Sequence, residues 1–245
     1  MAVQRGYRDA CGMAHALDLI GERWALLVVR ELLLGPKRFT DLRRGLPGAS
    51  PNALTDRLRD LTEIGVVRRR RLQPPAASWV YELTDWGHEL EPILISLGTW
   101  AIRSSRHDGT GHLSVDSVML TIRTYYSADA ARTGTIEVRL GEDRFGVWLD
   151  GRGVDVRHEV PLRPDVVLTS DAATLSGVFG DRAATRAALD EGTRDGIGDG
   201  DRAATRAALD EGTRDGIGVA GDRRLAVHLL EHVTVPDPAP AAARH

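Results

Sequence analysis

Two short apolar-periodic segments joined by a proline–glycine turn constrain this chain more than any other feature. The run FTDLRRGL (39–46) offers Thr40 as a cap and carries Leu42 and Leu46 at helical spacing, and Pro47-Gly48 interrupts it. Ser50-Pro51 then opens a second helix. Serine at the N-cap can accept an orphan backbone N–H, and proline suits the first helical position, where no N–H is needed. From Pro51 to about Ile64, Leu54, Leu58 and Leu61 share one face at spacings of four and three, while Asn52, Thr55, Asp56 and Arg59 stand opposite. A short helix, a tight turn and a second helix that buries leucines and exposes amide, hydroxyl and guanidinium groups form the helix-turn-helix pattern. Those exposed groups suit base edges: asparagine pairs with adenine, arginine with guanine, and threonine reaches a thymine methyl or a phosphate. Asp56 either accepts from cytosine or orients an arginine.

The flanking segments extend the module. Ala14, Leu17 and Ile20, then Leu26, Leu27, Arg30 and Leu33, have helical spacing and predict two helices separated near Gly21, the second ending at Gly35-Pro36. After Gly65, VVRRRRL (66–72), the tip QPPAAS and WVYELT (79–84) predict a β-hairpin wing. Arg68, Arg69, Arg70 and Arg71 suit the DNA backbone or minor groove, but four adjacent strand residues cannot share one face. Two are expected on DNA and two solvated or salt-bridged. With Lys37, Arg38, Ser50, Pro51, Asn52, Thr55, Asp56, Arg57 and Arg59, they complete the expected DNA-contacting set. Thr84 caps a long helix over 84–103, whose broad stripe (Leu90, Ile93, Leu94, Leu97, Trp100, Ala101) exceeds what one small module can bury. A second subunit is the expected cover.

These landmarks carry a resemblance. The opening cysteine, DLIGERW, RELLLGPKRF, LPGASPNALTDRL and YELTDWG, in order over about residues 11–103, resemble the HxlR-type winged-helix regulators. The resemblance implies a homodimer with helices at both ends of the module in the interface, and Pro51-Asn52 through Arg59 in the major groove. Gly12-Met13 departs from the proline usual after the cysteine in that family. Some family members sense oxidants or electrophiles through that cysteine, which makes Cys11 a candidate redox residue. An inert cysteine is the competing reading. Reactivity requires a lowered thiol pKa, as a helix N-terminus with nearby arginine can supply.

Charge divides the chain in the same place. Residues 1–107 hold 16 Lys+Arg against 12 Asp+Glu, whereas 108–245 hold 16 against 23, so a basic module that suits phosphate precedes an acidic one. The single cysteine excludes an internal disulfide. No run approaches the ~20 apolar residues of a membrane span, and the N-terminus lacks a signal-peptide pattern, so a cytoplasmic protein without membrane partners is expected.

The expected organisation is a multidomain chain: an N-terminal winged helix, α-rich with a β-hairpin wing (1–107), an α+β ligand-binding domain (108–235) and a disordered tail (236–245). In the second domain TIEVRL, RFGVWLDGRGVDVRHE and DVVLTS alternate like strands, with Asp150-Gly151 as a turn. Residues 115–126 fit strand or helix equally. AATLSGVF and RRLAVHLLEHV predict helices, and IGVAGD a strand. PDVVLTSDAATLSGVFG and IGVAGDRRLAVHLLEHV resemble the sterol-carrier-protein fold, which implies an apolar cavity and a hydrophobic small-molecule effector. Phe145, Trp148, Leu175, Phe179, Leu225 and Leu229 are candidate lining residues. GDRAATRAALDEGTRDGIG occurs at 180–198 and again at 200–218, a tandem duplication that makes one helical segment surplus.

Enzyme chemistry finds little footing. The histidines show no metal-ligand spacing beyond His228 and His232, and that pair lacks the glutamate of HExxH, so it reads as surface or core. No nucleophile elbow or phosphate-binding glycine loop occurs, and neither cofactor nor metal is expected. The expected function is a homodimeric, DNA-binding transcriptional regulator acting on a palindromic operator under a hydrophobic effector. A lipid or metabolite carrier, and a thiol switch at Cys11, are the rivals.

Overall fold

The computed structural model describes residues 6–74, 77–107, 110–127, 132–194 and 216–237, with only the backbone of 191–194. The second repeat up to residue 215, most of the expected tail (238–245) and part of the wing tip (75–76) lie outside the described residues. The chain divides into two compact units, Met1–His112 and Leu113–His245.

In the first unit α1 (Gly12–Ile20), α2 (Ala25–Leu32), α3 (Phe39–Gly45) and α4 (Pro51–Glu63) precede a hairpin of β1 (Val67–Arg71) and β2 (Trp79–Leu83), then α5 (Asp85–His88) and α6 (Glu91–Ile102). Val28, Val29 and Leu32 of α2 meet Leu42 of α3 and Leu54, Leu58 and Leu61 of α4 in the core, all buried. The buried stripe of α2 is therefore Ala25, Val28, Val29 and Leu32, one step from the expected face, and Leu27 is exposed. The helix over 39–46 starts at Phe39 rather than after Thr40, because the Asp41 carboxylate accepts the Arg38 backbone N–H at 3.1 Å and closes the first turn. The expected long helix over 84–103 is broken in two. Thr84 caps α5 by accepting the Gly87 N–H at 3.0 Å, but Pro92 has no N–H to continue that helix and instead lies in the first turn of α6.

In the second unit α7 (Val115–Tyr125) leads into β3 (Thr133–Leu140), β4 (Asp143–Asp150), β5 (Val154–Arg157), β6 (Val166–Ser170), α8 (Ala172–Gly177), α9 (Arg182–Arg194), β7 (Gly218–Gly221) and α10 (Arg223–Glu231). The ambiguous 115–126 is helical: Ser114 caps it, and Val118, Met119 and Ile122 bury at helical spacing. The sheet order is β5-β4-β3-β6-β7, with β3 and β6 parallel and the other pairs antiparallel. Asp150-Gly151 makes the β4–β5 turn. The Asp150 carboxylate accepts the N–H groups of Arg152 and Gly153, both at 2.8 Å, which holds it below the ordinary carboxylate range. At Gly221, φ is +105° and a Cβ would stand 2.3 Å from the Asp165 carbonyl oxygen, so glycine is required there.

The repeat is partly built into this unit. Thr185 and Leu189 of α9, from the first copy, are buried, and the Ala188 carbonyl accepts the N–H of Ile217 from the end of the second copy at 3.0 Å. The helix α9 from the first copy and Ile217 from the second are thus both part of this unit. Because the copies are identical, removing twenty residues anywhere within the repeat yields the same polypeptide. We expect that polypeptide to keep its cooperative unfolding, with a stability change of only about 1 kcal/mol from the shorter connection. Non-cooperative thermal melting of the deletion protein would contradict this placement.

Candidate nucleic-acid interface

Leucine burial on α4 determines what the helix shows to solvent. With Leu54, Leu58 and Leu61 inside, Pro51, Asn52, Thr55 and Arg59 are exposed. Ser50 caps the helix by accepting the Ala53 N–H at 3.2 Å, and the Thr55 hydroxyl donates to the Pro51 carbonyl at 2.8 Å. Arg59 lies among carboxylates, 3.0 Å from Asp56, 3.2 Å from Asp60 and 3.9 Å from Glu63. Pairs this exposed contribute little, about 0–1 kcal/mol each, so the guanidinium can leave them for a stronger acceptor. The acids crowd the C-terminal half of α4, whereas its N-terminal turn has none. The end of α4 compatible with a polyanion is therefore the N-terminal one, the end that helix-turn-helix proteins insert.

Two of the expected contacts are corrected. Lys37 is buried, its ammonium 2.8 Å from the Glu31 carboxylate, and its backbone exchanges hydrogen bonds of 2.9 and 2.8 Å with Tyr81 as an isolated bridge to the wing. Its charge is used inside the unit. Arg57 leans back along the module, half-buried, 3.0 Å from Asp60 and 3.9 Å from Glu22. Arg38 is exposed at the start of α3.

The wing arginines separate by strand alternation. Arg68 and Arg70 share a face with Glu82 and pair with it at 2.7 and 2.8 Å, which holds the Glu82 carboxyl below its ordinary range, chiefly through the Arg70 hydrogen bond. Arg69 lies on the opposite face, 4.6 Å above the Trp79 ring and 5.8 Å from that of Tyr81. Arg71 is exposed on the Arg69 side of the strand. Arg43 and Arg44, exposed in the last turn of α3, were missed by sequence reasoning. Their signal is the arginine pair just before the Pro47-Gly48 turn, on the helix that crosses the DNA backbone in this motif.

Cys11 is exposed at the N-cap of α1. It closes no capping hydrogen bond, yet the N–H groups of Met13 and Ala14 face the sulfur and pull the thiol below its ordinary pKa. No residue of α6 is buried: Trp100 is 75% exposed, Ile93 56% and Leu97 45%.

In the second unit Phe145, Leu175, Leu225 and Leu229 are packed into the core, and Phe179 is half-buried. Trp148 departs from the expected lining. Phe145, Val147 and Leu149 bury on one face of β4, so Trp148 points to the other. There the Arg157 guanidinium lies 5.5 Å from its ring centre, beside a groove of about 530 Å³ lined also by Asp150, Arg152, Val154 and Asp155.

The model of the HxlR-like helix-turn-helix family matches residues 19–108. YvaP, an HTH-type transcriptional regulator of Bacillus subtilis strain 168, is 38% identical over 86 residues, which span 35% of this chain and 80% of YvaP. The chain belongs to the HxlR-like helix-turn-helix family. A second relative of this HxlR-like regulator, the transcriptional regulator YodB of the same organism, is 33% identical over 36% of this chain and 80% of its own length. The solved structure of reduced YodB is 29% identical and covers 40% of this chain and 97% of that one, with a TM-score of 0.36. By its family the HxlR-like chain is a DNA-binding transcriptional regulator. Among its described residues no helix is long and apolar enough to cross a membrane.

Proposed function

We propose that this regulator binds a two-fold symmetric operator as a homodimer, inserting the N-terminal half of α4 into the major groove. The carrying observation is the division of α4 into a buried leucine face and an exposed face whose acid-free first turn presents Asn52 and Thr55. Asn52 and Arg59 read bases. Ser50, Pro51 and Thr55 sit at the helix mouth beside phosphate, and Asp56 orients Arg59. Arg38, Arg43 and Arg44 contact the backbone before the turn, and Arg69 and Arg71 do so from the wing. Arg68 and Arg70 instead tie β1 to Glu82 of β2. The exposed face of α6 meets its counterpart in the second copy, which sets the half-site spacing.

The test separates base reading from phosphate contact. Arg59→Ala should cost about 1–3 kcal/mol on the preferred site and much less on random duplex. Arg69→Ala should weaken both duplexes alike and reduce the salt slope by about one. Equal losses from both variants on both duplexes would contradict the assignment.

The second unit is the proposed sensor, with the sterol-carrier resemblance as its background. Phe145, Leu175, Leu225 and Leu229 are buried in the core, and the groove beside Trp148, rimmed by Asp150, Arg152, Asp155 and Arg157, suits an effector with one apolar face and polar groups at its edge. A competing sensor is Cys11, favoured by its exposure and lowered thiol pKa. The two separate in one experiment on inducer-dependent release from DNA. A response lost in Cys11→Ser and kept in Trp148→Ala assigns sensing to the thiol, and the reverse assigns it to the groove. A response intact in both removes both.

A further inference from the structure

His228 and His232 stand one helical turn apart at the C-terminal end of α10, a spacing that puts two imidazoles on one side of a helix. Their rings lie 4.2 Å apart between centres and tilted by 35°. A third group joins them from a distant part of the chain. The Tyr126 phenol oxygen, at the end of α7, is 2.9 Å from His228 Nε2, and its ring centre is 6.5 Å from that of His232. Backbone pairing fixes this approach: Tyr126 bridges Val233, the Ser127 N–H donates to the His232 carbonyl at 2.8 Å, and the Thr234 N–H donates to that of Tyr125 at 3.1 Å.

The hydrogen bonds also decide which ring nitrogens hold lone pairs. His232 Nδ1 is 2.7 Å from the His228 carbonyl oxygen, which can only accept, so Nδ1 carries the proton and the neutral ring keeps its lone pair on Nε2. This is the bond that orients metal-ligating histidines. His228 Nε2 faces a phenol that can donate to it. His228 is buried, 7% exposed, with Arg132 and Glu231 the charged groups that act on it besides His232. Next to His232 in the chain, Glu231 has its Oε1 atom buried without a hydrogen-bond partner, while its Oε2 lies 3.6 Å from the Arg182 guanidinium.

We propose that Tyr126, His228 and His232 bind one borderline divalent transition-metal ion of the Zn²⁺ type, through the two Nε2 atoms, the phenol oxygen and water. Among the described residues no group of three His, Cys, Asp or Glu side chains is placed to hold a metal ion, so the third protein donor of this proposal is the Tyr126 phenol. Such an ion ties the end of α7 to the end of α10 within the second unit. Arg132 is the positive charge that opposes it, and Glu231 the negative one that favours it.

The test uses the full chain in a Cys11→Ser background, which removes the thiol as a competing ligand. Calorimetric titration with Zn²⁺ at pH 7.5 should show one site per chain absent with Mg²⁺, together with a rise in Tm. His232→Gln should weaken it by roughly tenfold or more, and Tyr126→Phe by a smaller factor, with far-UV circular dichroism unchanged. Zn²⁺ binding of equal strength in wild type, His232→Gln and Tyr126→Phe would place the ion elsewhere and overturn the proposal. So would an absence of Zn²⁺ binding by folded protein.

Discussion

Glu31→Ala should destabilise the N-terminal unit by about 3–5 kcal/mol, the largest effect expected of a single substitution there. Glu31 is fully buried, with one carboxylate oxygen 2.8 Å from Lys37 Nζ and the other 2.7 Å from the Arg30 guanidinium. Removing the carboxylate takes from the buried Lys37 ammonium the counter-charge that lies 2.8 Å away. The loss spreads beyond α2, because Lys37 also carries the backbone pairing to Tyr81 in the wing. Gly45, at the end of α3, packs so closely that a Cβ there would stand 2.2 Å from the same carboxylate, so Gly45→Ala attacks the pair from the other side. Replacing both partners, Glu31→Leu with Lys37→Met, should recover much of the loss, since a buried pair exchanged for apolar groups is often near neutral. Urea unfolding followed by tryptophan fluorescence suits the measurement, because four of the five tryptophans lie in this unit. A change under about 0.5 kcal/mol for Glu31→Ala would show that the pair is not what holds the wing to the helices.

Leu97→Asp combined with Trp100→Asp should convert the proposed dimer to monomer. Ile93, Leu97 and Trp100 are spaced by four and three on α6 and lie exposed together. Burying a Leu and a Trp side chain against a partner contributes about 1.5–3 kcal/mol each, and placing carboxylates there adds a desolvation cost. A combined loss near 4 kcal/mol corresponds to roughly a thousandfold weaker self-association. Sedimentation velocity should then report a single chain, and affinity for a two-half-site duplex should fall while binding to one half-site persists. An unchanged sedimentation coefficient would remove α6 from the interface. Lowered unfolding stability without a change in mass would show that this face is covered within the chain.

The parts of this structure legible in the sequence are those set by local chemistry. Ser50-Pro51, the leucine spacing of α4, the Thr84 cap and the Asp150-Gly151 turn each act within a few residues, so pattern alone placed them. Lys37 and Glu31 were not legible. A lone charged pair six residues apart looks like solvated surface until tertiary packing removes the water. The same limit applies to Trp148: strand alternation puts it opposite Val147, but which face of β4 is covered depends on helices far along the chain. Tyr126 and His228 are 102 residues apart, and only the pairing of 126–127 with 232–234 brings them together. The wing was half legible. Alternation predicted that the four arginines would split, and the position of Glu82 decided which two became paired. Pro92 was in plain view, and its missing N–H accounts for the break between α5 and α6.

Selection of bound duplexes from a random pool by the full-length chain, at two salt concentrations, most directly tests whether α4 reads DNA. The account predicts enrichment of a two-fold symmetric site, half-sites about one helical turn or a multiple of it apart, whose base preference relaxes at one position per half-site in Arg59→Ala. Retention of duplex that is equal for all sequences, or no retention even at low salt, would contradict it.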